Sequence, residues 1–437
     1  MAITKQLLND ELVQRREEGA DVDALEAQVQ AADPDDQGVL AALYARLEAL
    51  GSNADMAAAE PSDLEGIQGL RAPGPRAYAQ PFSESRLADR LYGAWLGRAA
   101  GCLLGKPCEG WSHDRIRAYL EPAGEYPLND YFPLIIPDPL TGQTISRVPA
   151  DWYRGRICAA PRDDDTDYTV LGLHLLEEHG PAFTTEDVAG EWLSHLPFWK
   201  VYTAERVAYA NLVNGLSAPE TALYLNPYRE WIGAQIRADI FGYVCPGRPE
   251  LAASLSYRDA RLSHVRNGIY GEMWAAACVA AAFVEDDARS VLEAGISEIP
   301  QQSRLAIALR QTIAWYEEDS DWQRTWDRVN ASYGHYHTVH TINNACAVAL
   351  ALLHAEGDFE QAITIAVMCG WDTDCNGATA GSIAGAMLGA SRLPAKWVAP
   401  LNDTLYSAVQ GFEVSRISDL AERTLALARP MLAEQTL

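Results

Sequence analysis

Gly93-Ala94-Trp95-Leu96-Gly97-Arg98-Ala99-Ala100-Gly101-Cys102-Leu103-Leu104-Gly105 places a glycine at every fourth position of a stretch that otherwise reads as a helix. Leu91, Trp95, Leu96, Ala99 and Leu103 fall on related faces, so the glycines line up as a flat stripe. Each glycine weakens a helix interior by roughly 1 kcal/mol, and close packing of a second backbone is the natural compensation. Gly377, Gly381 and Gly385 repeat the pattern in and beside the helical stretch Ala378 to Leu388. These two small-residue helices are expected at the centre of the core.

Helical periodicity extends outward from both. Tyr168 to Glu178 is a clear helix, Tyr270 to Phe283 is alanine-rich, and Thr341 to His354 is strongly apolar. Asp358 with Gln361 resembles a capping pair for a helix that ends near Cys369-Gly370. Strand-like alternation is confined almost entirely to Pro133–Val148, an insertion rich in proline and isoleucine. The expected fold class is all-α. Residues 1–50 read as two or three acidic amphipathic helices, with Leu7, Leu8, Leu12 and Val13, then Leu40, Leu43, Tyr44 and Leu47, at helical spacing. Ser52 to Pro81 is rich in Gly, Pro and Ala and reads as a linker. The expected division is an N-terminal appendage over residues 1–82 and one large domain over 83–437. For the appendage, a role in packing or self-association stands beside a plain solvated helical hairpin.

The chain has 437 residues, 48% hydrophobic, enough for a substantial core, and a formal charge of -26. Such a balance argues against nucleic-acid binding, because no basic stripe exists to displace counterions from a phosphate backbone. A phosphorylated ligand can still be held locally, through a metal or backbone amides. No apolar run reaches the length of a membrane span, and the N-terminus lacks the pattern of a signal peptide. The eight cysteines form no CxxC pair, which suits reduced thiols and a cytoplasmic location.

Two acidic clusters stand about two hundred residues apart, Asp163-Asp164-Asp165-Thr166-Asp167 and Gly370-Trp371-Asp372-Thr373-Asp374-Cys375-Asn376-Gly377. One or two aspartates at a helix start act as caps, but four in five residues exceed what capping needs. Carboxylates so dense repel one another unless a cation lies between them, and a hard divalent ion with oxygen ligands is the natural one. Two schemes in all-α proteins use such paired clusters. In class I terpenoid synthases a DDxxD pattern binds magnesium and a diphosphate, and Asp163, Asp164 and Asp167 satisfy it. That chemistry also needs clustered Arg and Lys, which the region around Asp372 does not offer.

The second scheme is carried by four motifs in order. They are Gly93 to Glu109, then Asp163-Asp164-Asp165-Thr166, then Leu262-Ser263-His264-Val265-Arg266-Asn267-Gly268-Ile269-Tyr270-Gly271, and last Gly370 to Gly389. Together they resemble the ADP-ribosylglycohydrolase family over about Leu87 to Leu425. The resemblance implies a compact all-α bundle with a dinuclear metal cleft binding two divalent cations, magnesium or manganese. It implies that Asp163, Asp164 and Asp165 ligate one face of the metal pair, and Asp372 and Asp374 the other, with Asp164 and Asp374 essential to catalysis. Glu109 matches a mobile glutamate proposed to act in acid–base chemistry. His264, Asn267, Gly268 and Tyr270 fall where the family lines its ribose and diphosphate pocket, and Arg237 aligns loosely with a substrate-side motif. Three departures bear on the substrate: Cys102 replaces an aspartate, Trp371 replaces a glycine beside the site, and Cys375 stands where a threonine often ligates a metal. Trp371 would stack on a ring of the ligand or fill the cleft.

The activity so implied is metal-dependent hydrolysis of a ribosyl glycosidic bond. ADP-ribosylated protein, an ADP-ribosyl small molecule and a free nucleoside or other small riboside are all open as substrates, and a metal-retaining ADP-ribose-binding pseudoenzyme is the non-catalytic alternative. His335, His337 and His340 form an HxHxxH group, a zinc pattern that also fits ordinary helix-start histidines. His340, Asn343 and Asn344 open a helix leading towards Asp372, within reach of the cleft. Trp192, Phe198, Trp199 and Tyr202 read as core aromatics. There is no GxSxG, P-loop or dinucleotide fingerprint. Oligomeric state is not legible.

Overall fold

A computed structural model of the chain describes residues 3–79, 83–142 and 149–433. Glu84–Gly105 and Thr373–Leu388 are both helices, and they lie antiparallel with their glycine stripes face to face. The register is read from what a Cβ would meet. On Gly97 it would come 2.1 Å from the Gly381 carbonyl oxygen, on Gly101 1.9 Å from that of Gly377, and on Gly105 2.1 Å from that of Thr373. No side chain fits at those distances, so glycine here makes room for a backbone.

Helices Asn267–Ala282, Thr341–His354 and Phe359–Met368 pack around this pair, and every residue of the alanine-rich Asn267–Ala282 helix is buried. Arg98 projects from the glycine helix and is completely enclosed. Its guanidinium pairs with Asp239 at 2.6 Å and donates to the Asp165 carbonyl at 2.7 Å and to Thr169 Oγ1 at 2.8 Å. A buried arginine unpaired would cost several kcal/mol, so this fan of acceptors fixes where the helix Asp164–His179 begins. Among the described residues, strands occur only at Thr404–Tyr406 and Val414–Arg416, an antiparallel pair with Thr404 opposite Arg416. Residues 133–142 hold no strand, and 143–148 lie outside the described residues. The alternation in Pro133–Val148 is therefore not a strand over its first ten positions, where the Ile136–Pro137 and Asp138–Pro139 pairs withhold backbone donors from a ladder.

The first fifty residues form three helices, Lys5–Glu17, Asp23–Ala31 and Gln37–Glu48, around a small core of Leu8, Leu12, Val29, Leu40 and Leu47. Leu225 from the main body completes that core. Beneath it runs a buried charge network. Arg229 pairs with Glu11 at 2.9 Å and Glu18 at 2.8 Å, and Arg304 with Glu60 at 2.8 Å and Glu230 at 2.6 Å. A free hairpin would leave these groups in water. Residues 52–79 are likewise strapped down rather than loose, with short helices at Ala54–Ala59 and Leu64–Gly69. Ile67 enters the main core, Arg71 pairs with Glu298 at 2.5 Å, and the Tyr78 amide donates to the Gly247 carbonyl at 2.8 Å. Their Gly and Pro content makes turns, while Ile67, Arg71 and Arg76 supply the contacts that composition conceals. The eight cysteines are unpaired, with Cys158 exposed. Among the described residues no helix is long and apolar enough to cross a membrane.

The helix contact sets a stability test. Gly101→Ala should cost about 3 kcal/mol or more, the upper end of overpacking effects. Gly190→Ala, at an open helical position with nothing within 4 Å, should stabilise by up to about 1 kcal/mol. Urea unfolding of both variants checks the pair; equal effects would show that the stripe is not under contact.

Candidate functional site

Because the glycine pair is antiparallel, the end of one helix lies beside the start of the other. Thr373 Oγ1 donates to the Gly105 carbonyl at 2.8 Å and ties the two ends together. The chain then leaves Gly105 through the short turn Lys106–Cys108 and pairs with the segment before Asp372. The Gly110 amide donates to the Trp371 carbonyl and the Trp371 amide to the Trp111 carbonyl, both at 2.8 Å. These bonds hold Glu109 at the exposed rim near Asp372 and Asp374. From the other side, Arg98 carries in the start of the helix Asp164–His179, which Asp163 caps by accepting from the Asp165 amide at 3.1 Å.

The two acidic clusters converge on one cavity of about 390 Å³. Carboxylate oxygens of Glu109, Asp372 and Asp374 lie within 4.8 Å of one another, as do ligand atoms of Asp165, Asp374 and Cys375, and those of Cys102, Asp163 and Asp165. Asp164 and Asp374 both line the cavity wall. Lys106 reaches into the cage, pairs with Asp163 and lies 4.8 Å from the centre of the Trp152 ring. Trp152, Arg162, Tyr202, Glu205 and Trp231 also line the wall, with Ile232 and Val339 among its apolar members.

Electrostatics separate the carboxylates. Burial opposes ionisation of Asp163, but the Lys106 ammonium more than offsets it and holds that carboxyl below the ordinary aspartate range. Burial, and then the charge of Asp163, push Asp164 and Asp165 well above that range. Burial and Asp374 do the same to Asp372, while burial and Glu109 raise Asp374 to about 8. Glu109 is raised by burial of its inner side and by Asp163 and Asp164. One lysine therefore does not neutralise the cage. Asp374 Oδ1 is buried without a hydrogen-bond partner, and the donors are oxygens. Both facts fit a hard divalent cation. Cys375 borders the cage with its Sγ near Asp165 and Asp374; burial raises its thiol above the ordinary range, and an oxygen-preferring ion gains little from a sulfur ligand.

The remaining sequence candidates lie elsewhere. Asp167 turns away from the cage to Arg162, 2.6 Å away, and to the Ala408 amide at 2.8 Å, so the DDxxD pattern does not present three carboxylates to one cation. The Trp371 ring packs on Trp326, with ring centres 4.4 Å apart, and does not line the cavity. The segment His264 to Tyr270 is also absent from the wall. His264 is buried against Ser263 Oγ at 2.8 Å, and Asn267 bridges Glu230 at 3.1 Å and the Leu305 amide at 3.0 Å. Gly268 lies against the Arg229 carbonyl, and Tyr270 donates to the Pro61 carbonyl. His340 caps its own helix, and its Nε2 lies 3.6 Å from Glu17. Asn267, Tyr270 and His340 join the N-terminal helices and their strap to the body, a contact that a motif read without residues 1–79 cannot anticipate, while His264 lies within the body with its Nε2 4.0 Å from Glu205. His337 stacks on Trp231 at 4.1 Å and His340 on Tyr336 at 4.4 Å, and HxHxxH forms no metal-holding group among the described residues. Asn344 does reach the site, where its Oδ1 accepts from the Asp372 amide at 3.2 Å. Arg237 is buried behind Glu205, which it pairs at 2.7 Å.

Of the residues that sequence reasoning missed, Lys106 lies inside the first quoted motif and Arg162 directly precedes the acidic run. Trp152, Glu205 and Trp231 carry no local signal. Trp192 is core as expected, but Tyr202 lines the cavity and Trp199 is 75% exposed.

A family model described as ADP-ribosylglycohydrolase matches residues 83–433. Among solved structures, a chain of an ADP-ribosylglycohydrolase-related protein complex is similar at 21% identity, with a TM-score of 0.49, covering 79% of this chain and 99% of its own. No curated protein matches this sequence.

Protons and a cation compete for the same oxygens. A raised carboxyl must lose its proton to ligate, so magnesium affinity should climb as pH rises towards about 8, where Asp374 titrates. Calorimetric titration across that range is the check; an affinity independent of pH would remove these carboxylates from the ligand set.

Proposed function

Because this chain belongs to the ADP-ribosylglycohydrolase family, we propose that it hydrolyses the glycosidic bond of an ADP-ribosyl group joined to a protein side chain or a small molecule. The observation that carries this reading is the meeting of two distant acidic clusters and Glu109 at one cavity. At about 390 Å³ the cavity is of the size that takes small organic ligands, roughly 300–1,000 Å³. Asp163, Asp164 and Asp165 on one side, with Asp372 and Asp374 on the other, would hold two magnesium or manganese ions. When bound, such ions would supply Lewis-acid chemistry at the ribosyl group.

The chain's own groups do the rest. Departure of the leaving group builds positive charge on the ribose ring, and fixed carboxylates in a shielded site oppose that charge without reorganising. Glu109, at the rim with its proton held more tightly than usual, can protonate the leaving atom and later accept a proton from water. Lys106 and Arg162 are the cations that line the cavity and suit a diphosphate. Trp152, Tyr202 and Trp231 offer aromatic faces for a base. With its ring packed on Trp326, Trp371 does not block entry.

The test is product release from a panel of ADP-ribosylated protein, ADP-ribosyl small molecules and nucleosides with magnesium. Asp164→Ala and Asp374→Ala should abolish cation binding and turnover together. Glu109→Gln should still bind ligand while turnover falls by about 10²–10⁴. Stable binding of ADP-ribose without product would make the protein a pseudoenzyme, and cleavage of nucleosides alone would reassign the substrate.

A further inference from the structure

The helix Asp164–His179 bears the acidic run at its start and His174 and His179 in its second half, and the helix Thr185–His195 packs against it with Glu191 and His195. Glu191 is 8% exposed. Its Oε2 lies 3.4 Å from His174 Nε2 and 2.9 Å from His195 Nδ1, and the three ligand atoms lie within 4.8 Å of one another. Despite this approach, Glu191 Oε2 and His195 Nδ1 are shielded from solvent and neither takes part in a hydrogen bond. The other carboxylate oxygen is held by His179 Nε2 at 3.1 Å. Two imidazole nitrogens and one oxygen thus gather within 4.8 Å of one another, and two of the three, Glu191 Oε2 and His195 Nδ1, are left without a hydrogen bond. Around a tetrahedral zinc with bonds of about 2.0–2.2 Å, neighbouring ligand atoms stand roughly 3.3 Å apart, close to the spacings here.

We propose that His174 Nε2, His195 Nδ1 and Glu191 Oε2 bind a zinc-type divalent cation. His179 orients the carboxylate through its second oxygen, and solvent completes the shell on the side where the His195 side chain is 25% exposed. Imidazole selects zinc and its neighbours over magnesium, so this site and the all-oxygen cage take different metals. The adjoining cavity, bordered by Gly172, Val188 and Glu191, holds about 10 Å³, too little for a substrate. The role is therefore a staple between two helices. It also steadies the segment that follows the strand Thr404–Tyr406: Gln410 donates to the His195 carbonyl at 2.9 Å, and Phe412 packs on the His174 ring with centres 5.1 Å apart. Since Ala408 of that segment binds Asp167, the staple braces the helix that carries the acidic cage.

The full-length protein, stripped with a chelator, is titrated with zinc in the presence of excess magnesium and a chromophoric competitor. One equivalent should bind, and it should persist in Asp164→Asn and Asp374→Asn. His174→Gln and His195→Gln should lose it, His179→Gln should weaken it about tenfold, and His335→Gln, at an exposed histidine, should keep it. Thermal unfolding guards against misfolding: stripped wild type and His195→Gln should melt alike, and zinc should raise the midpoint of wild type alone. Replacement by cobalt should give visible absorption that is lost in His195→Gln. Absence of zinc binding under magnesium, or its loss in the aspartate or His335 variants with retention in those of His174 and His195, would overturn the assignment.

Discussion

Backbone-to-backbone contact between Glu84–Gly105 and Thr373–Leu388 is the constraint on which the rest of the molecule depends. The contact is made in one observed register, Gly97 opposite Gly381 and Gly101 opposite Gly377, where a side chain at any of these positions would overlap a carbonyl oxygen. That register sets Glu109 and Lys106, just beyond one helix, beside Asp372 and Asp374 at the start of the other. A slip of one helical turn, about 5.4 Å, would separate groups whose ligand atoms now lie within 4.8 Å. The site's geometry is therefore inherited from packing in the core rather than from the loops that bear its residues.

Charge is handled differently in each part of the molecule. In the body, buried cations are saturated: Arg98 is enclosed by Asp239, Asp165 and Thr169, and Arg237 by Asp259 and Glu205. At the cavity the balance reverses: Asp163, Asp164, Asp165, Asp372 and Asp374 outnumber the cations near them, Lys106 and Arg162 on the wall and Arg98 behind Asp165. Low local dielectric makes that excess costly, and several carboxyls accordingly hold their protons well above the usual range. A concentration of like charge that nearby cations compensate only in part marks a place suited to an external cation.

The N-terminal helices belong to the same structural argument. Arg229 and Glu230 face Glu11, Glu18 and Arg304, while Trp231 and Ile232, the next residues along, line the cavity. The Ile232 amide donates to the Val339 carbonyl at 2.9 Å, which joins two pieces of the same wall. One short segment thus serves the docking surface on one side and the pocket on the other. Asn267, Tyr270 and His340 are part of this joint, which explains why polar residues with the look of ligand contacts are instead buried between elements of the chain.

Local chemistry written into the sequence determined the helical class, the glycine stripes with their demand for a close backbone neighbour, and the two acidic clusters with their need for a cation. Those features follow from spacing and from residue type, which a linear reading sees directly. Only the tertiary structure decided that the two stripes choose each other, that Asp167 turns to Arg162 and leaves the cage, and that Trp371 fills a niche beside Trp326. It alone brought Trp152, Glu205 and Trp231 to one wall, and His174, Glu191 and His195 to one point. The reason is physical: a side chain's direction depends on which neighbour excludes water from it, and those neighbours lie tens to hundreds of residues away along the chain.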